Sequence, residues 1–129
     1  MNPKRFLLVG GIIFLCLGIL GYFTGGNDRV GPFGSIFWLT TGENIVHAVL
    51  GIVAIIASYF FLAIPRKWLT VIIGLIALYF GLIGFSLSGT NVPALNYRGV
   101  ANLEFLDNLI HLGLASVAFW AASKKDKLR

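Results

Sequence analysis

The chain has 129 residues, of which 57% are hydrophobic and 12% charged, and its mean hydropathy of +0.87 is far above that of a soluble domain of this size. That composition excludes a soluble globular domain and leaves little chain for one beside membrane segments. The formal charge of +5 does not mark a nucleic-acid binder, because the basic residues sit in short groups flanking apolar runs, where charge reports topology.

Four apolar stretches, about 6–23, 45–64, 69–87 and 106–123, each approach the ~20 residues that cross a hydrocarbon core as helix. The first follows Lys4 and Arg5 and superficially resembles a secretory signal, yet no small-x-small site follows it, and Ile13-Phe14-Leu15 before Cys16 is unlike a lipoprotein processing site. It is therefore expected to remain as a span. Gly11, Gly18, Gly21 and Gly25 recur along it every three to seven positions, a stripe that lets helix backbones approach in lipid. Cys16, the single cysteine, excludes an internal disulfide and is expected in buried packing.

A connection at 27–42 follows, with Gly-Pro-Phe-Gly and the apolar residues Phe33, Ile36, Phe37 and Trp38, which are expected in the membrane interface as a short helix or cap. Thr40-Thr41-Gly42-Glu43 fits a capping box that starts the second helix at about Thr40. That helix carries Asn44, His47, Gly51, Ala54 and Ser58 on one face. Pro65-Arg66-Lys67-Trp68 then reads as a short turn. The third stretch repeats the small-residue stripe with Gly74, Ala77, Gly81, Gly84 and Ser88. A second long connection, 89–105, contains Asn-Val-Pro-Ala and offers Asn102 as cap for the fourth helix, whose inward face holds Asn108, His111, Ala115, Ala118 and Ala122. The two long connections read either as a lid on the bundle or as a docking surface.

Eight of the ten basic residues, Lys4, Arg5, Arg66, Lys67, Lys124, Lys125, Lys127 and Arg129, fall on one side, with Arg29 and Arg98 on the other. The positive-inside rule then puts both termini and the 2–3 turn in the cytoplasm of a prokaryotic plasma membrane. Asp28, Glu43, Glu104 and Asp107 lie on the outer side, and Trp38, Trp68 and Trp120 fall near span ends.

The second half repeats the first. At an offset of 63, Gly11, Gly18 and Gly21 match Gly74, Gly81 and Gly84; at 64, Glu43, Asn44, His47, Ala54 and Ala57 match Asp107, Asn108, His111, Ala118 and Ala121. Two helical hairpins in parallel orientation, related by an axis along the membrane normal, make an all-α, polytopic four-helix bundle and a single membrane domain over 1–129. The small residues should face inward and bulky Leu, Ile and Phe the lipid.

Glu43-Asn44-Ile45-Val46-His47 and Asp107-Asn108-Leu109-Ile110-His111 each place acid, amide and imidazole on one helix flank, at i, i+1 and i+4. Intramembrane ionisable residues usually face the bundle interior. One reading is packing, with Asn and His bonding loop backbone or each other and pinning the outer helix ends. A second is a cofactor site, with His47 and His111 as ligands of haem b or a chlorophyll-type pigment, Asn44, Asn108, Glu43 and Asp107 behind them, and Gly51 and Ala115 leaving room. A third is one divalent metal on His47, His111, Glu43 and Asp107. No phosphate loop, nucleophile elbow, HExxH or Cys cluster points to an enzyme.

The repeated Asn-x-x-His before small residues, in a four-span chain with Lys/Arg at both ends, resembles an uncharacterised family of small bacterial and archaeal four-helix membrane proteins, a domain of unknown function. The resemblance implies fold and topology over the whole chain but no activity. Gly four residues after the histidine fits its pattern at Gly51, whereas Ala115 departs from it, so the two halves need not be equivalent. The expected function is non-enzymatic: an accessory or scaffold subunit that packs with lipid and with other membrane proteins or copies of itself. The opposing readings are the histidine cofactor protein and a transporter-like oligomer with a shared pathway.

Overall fold

The computed structural model describes residues 1–24, 39–87 and 103–126. Four helices account for the regular structure of those residues: α1 (Pro3–Thr24), α2 (Thr41–Phe60), α3 (Ala63–Leu87) and α4 (Phe105–Ala122). All four are long and apolar enough to cross a membrane. The expectations for Gly25, Phe33, Ile36, Phe37, Trp38, Ser88 and Asn102 lie outside the described residues.

The helix starts follow from local chemistry. Arg5 N donates to Asn2 Oδ1 at 3.0 Å, supplying one partner for the free N–H groups of α1. The capping box opens α2: Glu43 N donates to Thr40 Oγ1 at 3.2 Å, and Thr40 N donates to Glu43 Oε2 at 2.7 Å. At α4 the N-cap is Glu104, which makes no side-chain cap bond. The third helix also differs from expectation. It begins at Ala63, so Pro65-Arg66-Lys67-Trp68 is its first turns and the actual turn is Phe61-Leu62. Proline is tolerated there because N–H groups in a first turn have no intrahelical partner to lose.

Glycine stripes set the packing within each hairpin. A side chain at Gly11 would meet Gly51 O at 2.9 Å, and one at Gly51 would meet Gly11 O at 2.7 Å, so α1 and α2 touch backbone to backbone. In the other hairpin the counterpart Gly74 faces side chains instead, Phe119 Cε1 at 3.0 Å and Ala118 Cβ at 3.1 Å. Ala115, standing where the first hairpin has Gly51, accompanies this more open seam. The main contacts are α1 with α2 and α3 with α4; contacts between the hairpins are far sparser. What joins the hairpins is an apolar cluster of Phe6, Leu7, Ala54, Ala57, Ala118 and Ala121, flanked by Leu69, Ile73 and Leu114.

Pro3, Ala63, Lys67 and residues 122–126 border one cleft, which places the start of α1, the α2–α3 turn and the end of α4 together at one end. The outward faces carry Ile, Leu, Val, Phe and Tyr, many about half exposed, a far larger apolar exterior than a water-soluble monomer shows. Cys16 lies on that surface and is exposed, not buried as expected. Its place in the heptad of glycines explains this: Gly11, Gly18 and Gly21 are buried, and Cys16 falls between them on the opposite side of α1.

Candidate ligand site between the hairpins

The repeated asparagines are fully buried. Asn44 Nδ2 donates to Leu39 O, and Asn108 Nδ2 to Leu103 O, both at a long 3.4 Å. Each side chain is seated against a glycine of the neighbouring helix: the Asn44 carboxamide occupies the space a side chain at Gly21 would need, and the Asn108 carboxamide does so at Gly84. Among the described residues neither Oδ1 accepts a hydrogen bond. The asparagines therefore tie each helix start to the residue before its N-cap, and they do so while filling a glycine notch that the sequence alone did not pair with them.

The acids, although equivalent in the repeat, have different work. Glu43 turns back to the cap, with Oε2 accepting from Thr40 N at 2.7 Å and from Thr40 Oγ1 at 2.9 Å. The residue standing at Thr40's position in the other half is Glu104, which supplies no such hydroxyl. Asp107 Oδ2 accordingly lies beside its own histidine, 3.3 Å from His111 Nδ1.

Both imidazoles are oriented by their own helix. His47 Nδ1 lies 2.7 Å from Glu43 O, and His111 Nδ1 lies 2.9 Å from Asp107 O. A carbonyl oxygen can only accept, so Nδ1 carries the proton in each ring. Nε2 is then the bare nitrogen of the neutral imidazole, and neither Nε2 makes a hydrogen bond with any described residue. Each ring also packs on a phenyl group from the partner helix of its hairpin: Phe14 edge-on to His47 at 5.2 Å between centroids, and Phe80 tilted against His111 at 5.8 Å. The two phenylalanines do not correspond in the repeat, where Ala77 answers Phe14 and Leu17 answers Phe80; no periodicity could have paired them with the histidines.

His47 and His111 line one cavity of about 110 Å³ between the hairpins, together with Phe14, Phe80, Ala77 and Glu43. Val46 and Ile76 also line it and are each 47% exposed, so the cavity reaches the apolar outer surface. The sequence-expected pair is thus brought together, whereas Asn44 and Asn108 do not line the cavity. Gly51 and Ala115 are spent on helix packing and do not line it either. Among the described residues no three His, Cys, Asp or Glu side chains converge as a metal site; the expected His47, His111, Glu43 and Asp107 set is divided by the capping role of Glu43.

No protein-family model, no curated protein and no solved structure matches the chain.

Proposed function

We propose that the chain is a non-enzymatic multi-pass membrane protein, an accessory subunit that holds a small lipid-soluble ligand between its two hairpins. The observation that supports this most is the pairing of His47 and His111 on one apolar cavity with both Nδ1 atoms bound to backbone, which leaves both Nε2 atoms without a hydrogen-bond partner among the described residues. Polar atoms in an apolar interior are costly without partners, and a ligand supplies them. The macrocycle reading is weakened by size. Pockets for drug-sized ligands start at roughly 300 Å³, and about 110 Å³ takes a haem or chlorophyll only if the hairpins part.

The experiment is purification in mild detergent, solvent extraction with mass spectrometry of the extract, and an absorption spectrum with metal analysis of the same sample. One small organic molecule per chain, lost in His47→Phe and His111→Phe, is the expected result. An empty extract from a colourless, metal-free and folded protein would return the motif to packing alone.

The repeat of two parallel hairpins and an orientation with both chain ends in the cytoplasm of a prokaryotic plasma membrane belong to the same reading. They are supported by the basic residues at the end where Pro3, Lys67, Lys124 and Lys125 meet. In a Cys16→Ser background, Thr41→Cys should be labelled by an impermeant thiol reagent from outside intact cells and Lys125→Cys only after lysis; the reverse pattern would invert the topology. Assembly with other membrane proteins is supported by the same apolar exterior, which a bilayer or a neighbouring helix covers equally well.

A further inference from the structure

We infer that the cavity takes a single-ring aromatic head group bearing hydroxyl donors, of the hydroquinone class, in its reduced form in preference to its oxidised form. This rests on the ligand-site reading above and adds the chemistry of the ligand.

Donor and acceptor count is the first constraint. Both imidazoles donate through Nδ1 to their own helix, His111 with the Asp107 carboxylate also beside that nitrogen, so where the two rings are neutral their remaining nitrogens are acceptors and not donors for an occupant of the cavity that both residues line. An occupant must bring O–H or N–H groups. A metal cation would also satisfy Nε2, but it needs further ligands. Glu43 is turned to Thr40, Asp107 lies beside Nδ1 of His111, and among the described residues no three His, Cys, Asp or Glu side chains converge as a metal site.

Size and lining are the second. An apolar cavity of about 150 Å³ accommodates a benzene ring, and this one, at about 110 Å³, has walls of Phe14, Phe80, Leu50 and Ala77. One six-membered ring is the scale of group it holds, and phenyl walls suit its faces and edges. The opening past Val46 and Ile76 onto the apolar surface gives an alkyl or isoprenoid tail an exit into lipid.

The acceptor pair then sets redox preference. A hydroquinone presents two O–H donors to the two Nε2 atoms. A benzoquinone presents two carbonyl oxygens, which oppose acceptor to acceptor and leave all four atoms unpaired. The binding proposed involves no electron transfer; the protein discriminates between the two forms of the molecule.

The test is anaerobic calorimetric titration of decylhydroquinone and decylbenzoquinone into the full-length protein in mild detergent, at mildly alkaline pH where imidazole is neutral. The hydroquinone is expected to bind about tenfold or more tightly than the quinone. His47→Phe and His111→Phe should each reduce that ratio, and Ala77→Leu, which builds into the cavity, should abolish binding of both. Because the ratio is measured within one protein sample, it does not depend on how much of a variant folds. Equal binding, or tighter binding of the quinone, would overturn the ligand class while leaving the site in place. Binding of neither, with a different small molecule recovered from the native extract, would do the same. Binding of neither with an empty extract would overturn the site itself.

Discussion

An asparagine carboxamide fills the notch beside Gly21 in one hairpin and beside Gly84 in the other. An added methyl group at either glycine must displace a fully buried amide whose Nδ2 holds the preceding backbone. Gly21→Ala and Gly84→Ala should therefore each destabilise the protein by about 1–3 kcal/mol in thermal unfolding in micelles. Gly10→Ala and Gly113→Ala provide the contrast: nothing lies within 4 Å of a side chain at either position, and both should be neutral or stabilising by up to about 1 kcal/mol. The burial of these stripes is legible in the sequence, since spacing along one helix decides which face is small. The seating of one particular asparagine on one particular glycine is not, because it depends on the relative height of two helices, which no single-helix pattern encodes. The separate duties of Glu43 and Asp107 were legible in principle, from Thr40 in one half against Glu104 in the other.

At the scale of the helices, the number, order and apolar character of the four elements follow directly from runs of hydrophobic residues. The start of α3 does not, because Pro65, Arg66 and Lys67 look like a turn and a polar cytoplasmic loop. Tertiary contacts override that appearance. Arg66 is buried, with Nε donating to Asp126 Oδ2 at 2.7 Å and Nη1 donating to Ser58 O at 3.3 Å. It thereby satisfies a carbonyl in the last turn of α2, where cations are favoured by the helix dipole, and ties α3 to the chain beyond α4. The partners are sixty residues apart, a pairing that charge counting treats as two separate topology signals. Removing one partner leaves a buried charge uncompensated. Arg66→Met alone or Asp126→Leu alone should cost about 3–5 kcal/mol, and the double substitution should recover most of that loss. A double-mutant cycle by chemical unfolding in micelles checks it, and additive costs would show that the two side chains do not act as a pair.

For the whole molecule, the decisive feature is unequal packing. Each hairpin is closed along a glycine seam, but the hairpins meet mainly through the cluster of Phe6, Leu7 and small residues near one end, and the cavity is lined by residues of all four helices. The repeat in the sequence gives His47 and His111 matching positions in the two halves, which is why the pair could be singled out. The size of the space between them, and the nitrogen in each ring that has no partner among the described residues, required the packing and the i−4 carbonyl contacts.

The measurement that tests this account most directly is a nitrogen-15 spectrum of histidine-labelled protein in micelles, which is unambiguous because the chain contains only two histidines. Both neutral rings are expected as the Nδ1–H tautomer with Nε2 unprotonated, each responding when a ligand occupies the cavity. An Nε2–H tautomer in either ring would point a donor at the cavity, contradict the backbone-held imidazole pair and remove the basis for the ligand proposed.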